Sequence, residues 1–153
     1  MMKNNADHET QLQQFQVEHN FDFVAIALVE PAENQYVLKW KYTSGNLSNR
    51  IKKVVLHSGK GIAGTVFKTG KPLMIKNRSE FEQREDLFNY PILVFENLRS
   101  MGAVPIWHNG RVAGVLLGGY READRMSDEK LQILIQTAAK GIGNLDGKEL
   151  MLN

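Results

Sequence analysis

The chain has 153 residues, about one domain's worth, and 42% of them are hydrophobic, enough for a single core. Its 19 basic and 17 acidic residues nearly cancel, which argues against a nucleic-acid or anionic-membrane surface. Cysteine is absent, which excludes disulfides, thiol nucleophiles and thiolate metal sites together.

The opening MMKNNADHETQLQQ lacks the apolar stretch of a secretory leader. The longest apolar run, 112–117, is broken by glycine and too short to span a bilayer. The expectation is a cytosolic, or cytoplasmic, protein. Residues 7–19 are polar, with Leu12, Phe15 and His19 spaced by three and four, the narrow stripe of an amphipathic helix. FDFVAIALVE follows. After Asp22 it is apolar on both faces, which predicts a central strand covered on both sides. Pro31 and Asn34 mark a turn. Over 36–42 the pattern alternates, placing Tyr36, Leu38, Trp40 and Tyr42 on one buried face and Val37, Lys39 and Lys41 on the other. Ser44-Gly45-Asn46 breaks that strand, and 51–56 reads as a third.

Gly59-Lys60-Gly61 opens a helix over 62–68, with Gly70 just past its end as a cap. PLMI at 72–75 is a short strand that begins on proline, where no ladder donor is lost. Residues 77–99 are polar and irregular. They include a charged helix over 79–86, where Glu80, Glu82, Glu85 and Asp86 with Arg78 and Arg84 form a solvated face. Tyr90-Pro91-Ile92 starts a further short helix, with proline in first position. Strands at 101–107 and 111–119 flank His108-Asn109-Gly110, and Asn-Gly between apolar runs is a strong hairpin signal. Ser127 caps a final helix carrying Leu131, Leu134, Ile135, Ala138 and Ile142 on one face. This order predicts an α+β fold, a central antiparallel sheet flanked by helices on both faces.

No residue set points to catalysis. None of His8, His19, His57 and His108 pair at metal-ligand spacing. No nucleophile elbow appears, and GKGIAGT lacks the Lys-Ser/Thr pair of a Walker loop. The two helix starts, Gly61-Ile62-Ala63 and Tyr90-Pro91-Ile92, offer different chemistry. Unpaired N–H groups at a helix start carry about half a positive charge. Two starts aimed at one point hold a small anion without a charged side chain. Glycines at 59, 61 and 64 let backbone approach a ligand, and an inward Trp40 suits a flat trigonal anion as a wall. The same features also fit plainer roles: an ordinary turn, a proline-started helix and a core tryptophan.

Three stretches, in this order and spacing, resemble one family. They are SGKGIAGTVFKTGKPLMI at 58–75, SMGAVPIWHNGRVAGVLLGG at 100–119, and Ser127-Asp128-Glu129 opening the last helix. The pattern is that of GAF domains, with a core over about 12–145 and residues 1–8 loose. The resemblance implies a single GAF domain over 1–153. It implies a small ligand bound between the sheet and the helix-rich middle, and in many members a homodimer formed through terminal helices. WKYTSGN, GIAG and YPI in these places resemble the stand-alone bacterial nitrate receptors of that family. That branch implies nitrate as ligand, no cofactor, no enzymatic activity, and a sensor histidine kinase of a two-component system as partner. It implies that the N–H groups of Ile62, Ala63 and Ile92 donate, while Trp40 and Tyr90, with Pro91, shape and close the pocket. A second reading is a GAF sensor of another small ligand, such as a cyclic nucleotide, although the nucleotide-binding signature is missing. The family's methionine sulfoxide reductases need cysteine, and so do its bilin binders. A haem-binding member needs an inward axial histidine, for which His57 is the one candidate.

Overall fold

The computed structural model describes residues 5–81 and 89–141. The run without polar residues on either face becomes β1 (Phe23–Ala32). Its side chains alternate between two cores, Phe23, Ala25 and Ala27 to one and Val24 and Ile26 to the other. β1 pairs antiparallel with β2 (Gln35–Ser44) on one side and β6 (Arg111–Tyr120) on the other. With β3 (Val55–His57), β4 (Leu73–Ile75) and β5 (Ser100–His108) they form one antiparallel sheet, ordered β3-β2-β1-β6-β5-β4.

Helices cover both faces, as the element order predicts. α2 (Gly61–Thr69) and α3 (Pro91–Phe95) place Ile62, Ala63, Val66, Ile92 and Leu93 in the core with Phe23. α1 (Asn5–Glu18) and α4 (Asp128–Lys140) place Leu12, Phe15 and Leu134 in the core with Val24. Local chemistry sets the boundaries. Gly70 ends α2 in the left-handed conformation, its N–H bonding the Val66 carbonyl at 2.8 Å. Ser127 Oγ accepts from the Lys130 N–H at 3.2 Å and starts α4. Asn109 and Gly110 both have positive φ, as a two-residue hairpin turn requires.

Four expectations change. β1 runs through Pro31 to Ala32, and the turn is only Glu33-Asn34, with Asn34 at φ 58. The four large side chains of β2 do not share a face. Ala27 pairs with Trp40 but Ile26 with Tyr42, so Lys41 is left over as a bulge. The extra residue turns the strand over: Leu38 and Trp40 point toward α2, and Tyr42 enters the opposite core. Tyr36, at the strand's open end, is 48% exposed. The strand expected over 51–56 splits into a 3-10 turn, Arg50–Lys53, anchored by buried Ile51, and the three residues of β3. Of the helix expected over 79–86, the described part is a 3-10 turn, Arg78–Phe81. Residues 82–86 and Ile142 lie outside the described residues.

Candidate functional site

β2 carries Trp40 inward, where it is 1% exposed, in one buried cluster with Ile62, Ala63 and Ile92. Tyr90 packs against that cluster. Residues more than twenty positions apart are thereby joined, because β2, α2 and α3 meet over the same sheet face. Pro91, half-buried, is the first residue of α3. The indole Nε1 of Trp40 is buried and has no hydrogen-bond partner among the described residues. A buried donor left in that state costs about 1–3 kcal/mol; Thr43 Oγ1 and Glu96 Oε2 are buried in the same way.

The backbone around it is rich in donors. Lys60, extended at φ −112 and ψ 135, leads into α2 without a side-chain cap. The N–H groups of Ile62 and Ala63 lie in the first turn, ahead of the intrahelical ladder. In α3 the Leu93 N–H bonds the Tyr90 carbonyl at 3.0 Å. Proline has no N–H, which leaves the Ile92 N–H as the first-turn donor of that helix.

A cavity of about 190 Å³ lies where the two helix starts approach each other, lined by Gly59, Lys60, Gly61, Thr65, Asn89 and Tyr90. Among the described residues its lining contains no carboxylate. Its one charged lining residue is Lys60, a cation. Of the expected site residues only Tyr90 is in that lining; Trp40, Ile62, Ala63 and Ile92 stand in the buried cluster, Pro91 is outside the lining, and Trp40 does not wall the open cavity. Larger grooves of about 400 Å³ between α1 and α4 and about 450 Å³ beside Trp107 hold none of the expected site residues.

The glycines separate by role. A Cβ on Gly64 would sit 2.2 Å from the His57 carbonyl oxygen, so this glycine serves the packing of α2 on β3 and not ligand approach. Gly59 and Gly61 have positive φ and line the cavity. Sequence reading overlooked Lys60, Thr65 and Asn89. Thr65 follows Gly61 by one helical turn and its Oγ1 donates to the Gly61 carbonyl at 2.7 Å. That spacing was legible, but Asn89 reaches the cavity only through the packing of α3 beside α2. His57 is exposed at the end of β3 and is not part of the lining of the cavity of about 190 Å³. Among the described residues no group of three His, Asp or Glu could hold a metal ion.

A family model described as GAF domain matches residues 10–144. Among solved structures, a hypothetical protein from S. aureus matches at 41% identity and a TM-score of 0.71, covering 76% of this chain and 94% of that one. A structure of NreA from Staphylococcus aureus, mutated in its nitrate binding site, matches at 38% identity and a TM-score of 0.74, covering 82% of this chain and 92% of that one. A free methionine-R-sulfoxide reductase from Neisseria meningitidis matches at 17% identity and a TM-score of 0.68, covering 88% of this chain and 74% of that one, a likeness of fold alone. No curated protein sequence matches the chain.

Proposed function

The chain belongs to the GAF domain family, and we propose that within it this protein is a non-enzymatic receptor for nitrate. The observation that carries the reading is the unpartnered, buried indole N–H of Trp40, clustered with the first-turn residues of α2 and α3. Nitrate spreads one negative charge over three oxygens in a plane. In this reading the N–H groups of Ile62, Ala63 and Ile92 donate to those oxygens, and the partial charge of two helix starts offsets the anion. Trp40 supplies a further donor through its indole N–H, and Tyr90 and Pro91 close the side toward solvent. No proton moves and no bond breaks.

The resemblance to NreA supports the choice of anion. The lack of cysteine removes the thiol chemistry of the reductase branch. The output falls to another protein, in this reading a cytoplasmic sensor histidine kinase. No described helix is long and apolar enough to cross a membrane.

Titration with nitrate, chloride and acetate, followed by calorimetry and tryptophan fluorescence, tests the proposal. Saturable heat with nitrate and none with acetate is expected. Neither heat nor a fluorescence change at millimolar nitrate overturns it.

A further inference from the structure

Five residues are too few for a helix to hold itself in water, yet α3 is fixed with Ile92 and Leu93 fully buried. Its far end shows the anchor. Glu96, the residue that follows α3, is wholly buried, and its N–H bonds the Ile92 carbonyl at 3.1 Å. Its Oε1 accepts from Arg121 Nη2 at 2.9 Å and from the Leu47 N–H at 2.8 Å. Arg121 Nε donates to the Glu96 carbonyl at 3.0 Å, and Nη2 also donates to the Gly45 carbonyl at 2.9 Å. The Arg121 N–H in turn donates to Asp22 Oδ2 at 2.9 Å, tying the guanidinium's own backbone to the start of β1. A second guanidinium, Arg78, reaches the Leu93 carbonyl at 3.3 Å. The negative end of α3 thus faces two cations, and one carboxylate joins the helix to the loop at 45–47.

Toward solvent this unit presents apolar side chains. Leu47 is 59% exposed and Val94 37%. The Arg50 guanidinium lies 4.8 Å over the Phe95 ring, adding the 3-10 turn to the same body.

We propose that Glu96 and Arg121 are positioning residues that set the Ile92 end of α3 and carry ligand occupancy to the exposed surface around Leu47 and Val94. The inference rests on the nitrate reading above. An anion drawing on the Ile92 N–H pulls on a helix whose other end is bonded to the Leu47 backbone. The response therefore appears at Leu47 and not at Asn109, in the β5–β6 turn.

The chain has no cysteine, so Leu47→Cys and, as a control, Asn109→Cys each accept a single environment-sensitive fluorophore. Leu47 meets Glu96 through its backbone, and the substitution leaves that bond in place. Nitrate is expected to change emission at position 47 with the midpoint found by calorimetry, and to leave position 109 nearly unchanged. In the Leu47→Cys background, Glu96→Gln is expected to weaken nitrate binding by about tenfold or less and to abolish most of the emission change. Arg121→Lys, which keeps the charge, replaces Glu96→Gln if that variant does not fold. A silent label at 47 beside saturable nitrate heat overturns the coupling, as does a full response in both Glu96→Gln and Arg121→Lys. Absence of nitrate heat from the wild type overturns the receptor reading, and this inference with it.

Discussion

The indole N–H of Trp40 separates binding from folding. Phenylalanine keeps the aromatic body and deletes a donor that the fold leaves unsatisfied. Trp40→Phe also removes one buried ring, so it is expected to lower unfolding free energy by about 1–3 kcal/mol through the cavity left behind, measured by urea denaturation. Nitrate affinity is expected to fall about tenfold or more, because a hydrogen bond to a charged group contributes about 1.5–3 kcal/mol. A loss of stability with unchanged nitrate affinity would mean that Trp40 is only core. Tyr120 gives a prediction in pH. It is 1% exposed, and burial holds its phenol above the ordinary value, opposed by Arg125 and aided by Asp22. In the unfolded chain the same phenol ionises near pH 10. Its contribution to stability is fully present below about pH 10 and is lost as pH rises through the folded-state value. Urea midpoints between pH 8 and 11 should therefore fall more steeply in the wild type than in Tyr120→Phe. Residue identities of this kind were readable in the sequence as types. Which of them would be buried without a partner was not, because that depends on neighbours from β2, α2 and α3 at once.

At the level of elements, punctuation was legible and register was not. Gly70, Ser127 and Asn109-Gly110 each act within a few residues of their own position, so the sequence alone predicts the α2 stop, the α4 start and the hairpin. Ser127→Ala is expected to cost about 1 kcal/mol, read from urea denaturation. Gly110→Ala is expected to cost a similar ~1 kcal/mol. There a Cβ meets nothing within 4 Å and only the positive φ penalises it. A cost near zero at Gly110 would show that the turn relaxes. The bulge at Lys41 escaped the sequence reading because an alternating pattern looks the same with or without a slip; the partner strand decides. Likewise 51–56 has the composition of a strand, but the burial of Ile51 and the short edge pairing of β3 leave only three residues for the sheet.

For the molecule as a whole, the arrangement of two cores on one sheet makes unfolding a single event. β1 contributes alternate side chains to both, so neither core survives loss of the other. With Trp107→Phe leaving Trp40 as the sole indole, fluorescence and far-UV circular dichroism are expected to report coincident urea transitions. Separate midpoints would contradict the shared strand. The fold class and the two helix starts could be read from the chain because each rests on local pattern. The cavity could not, since its lining comes from two segments some thirty residues apart that meet only when α2 and α3 pack side by side. The leftover residue of β2 has a consequence for how the gene tolerates change. The Lys41 side chain is exposed, so many substitutions there should pass unnoticed. Removal of its codon should pass as well: Trp40 and Tyr42 would become consecutive residues, which a regular strand points to opposite faces, as they already are. A library scan of β2 should find position 41 permissive to replacement and to deletion alike, a position that the ladder of paired residues passes over.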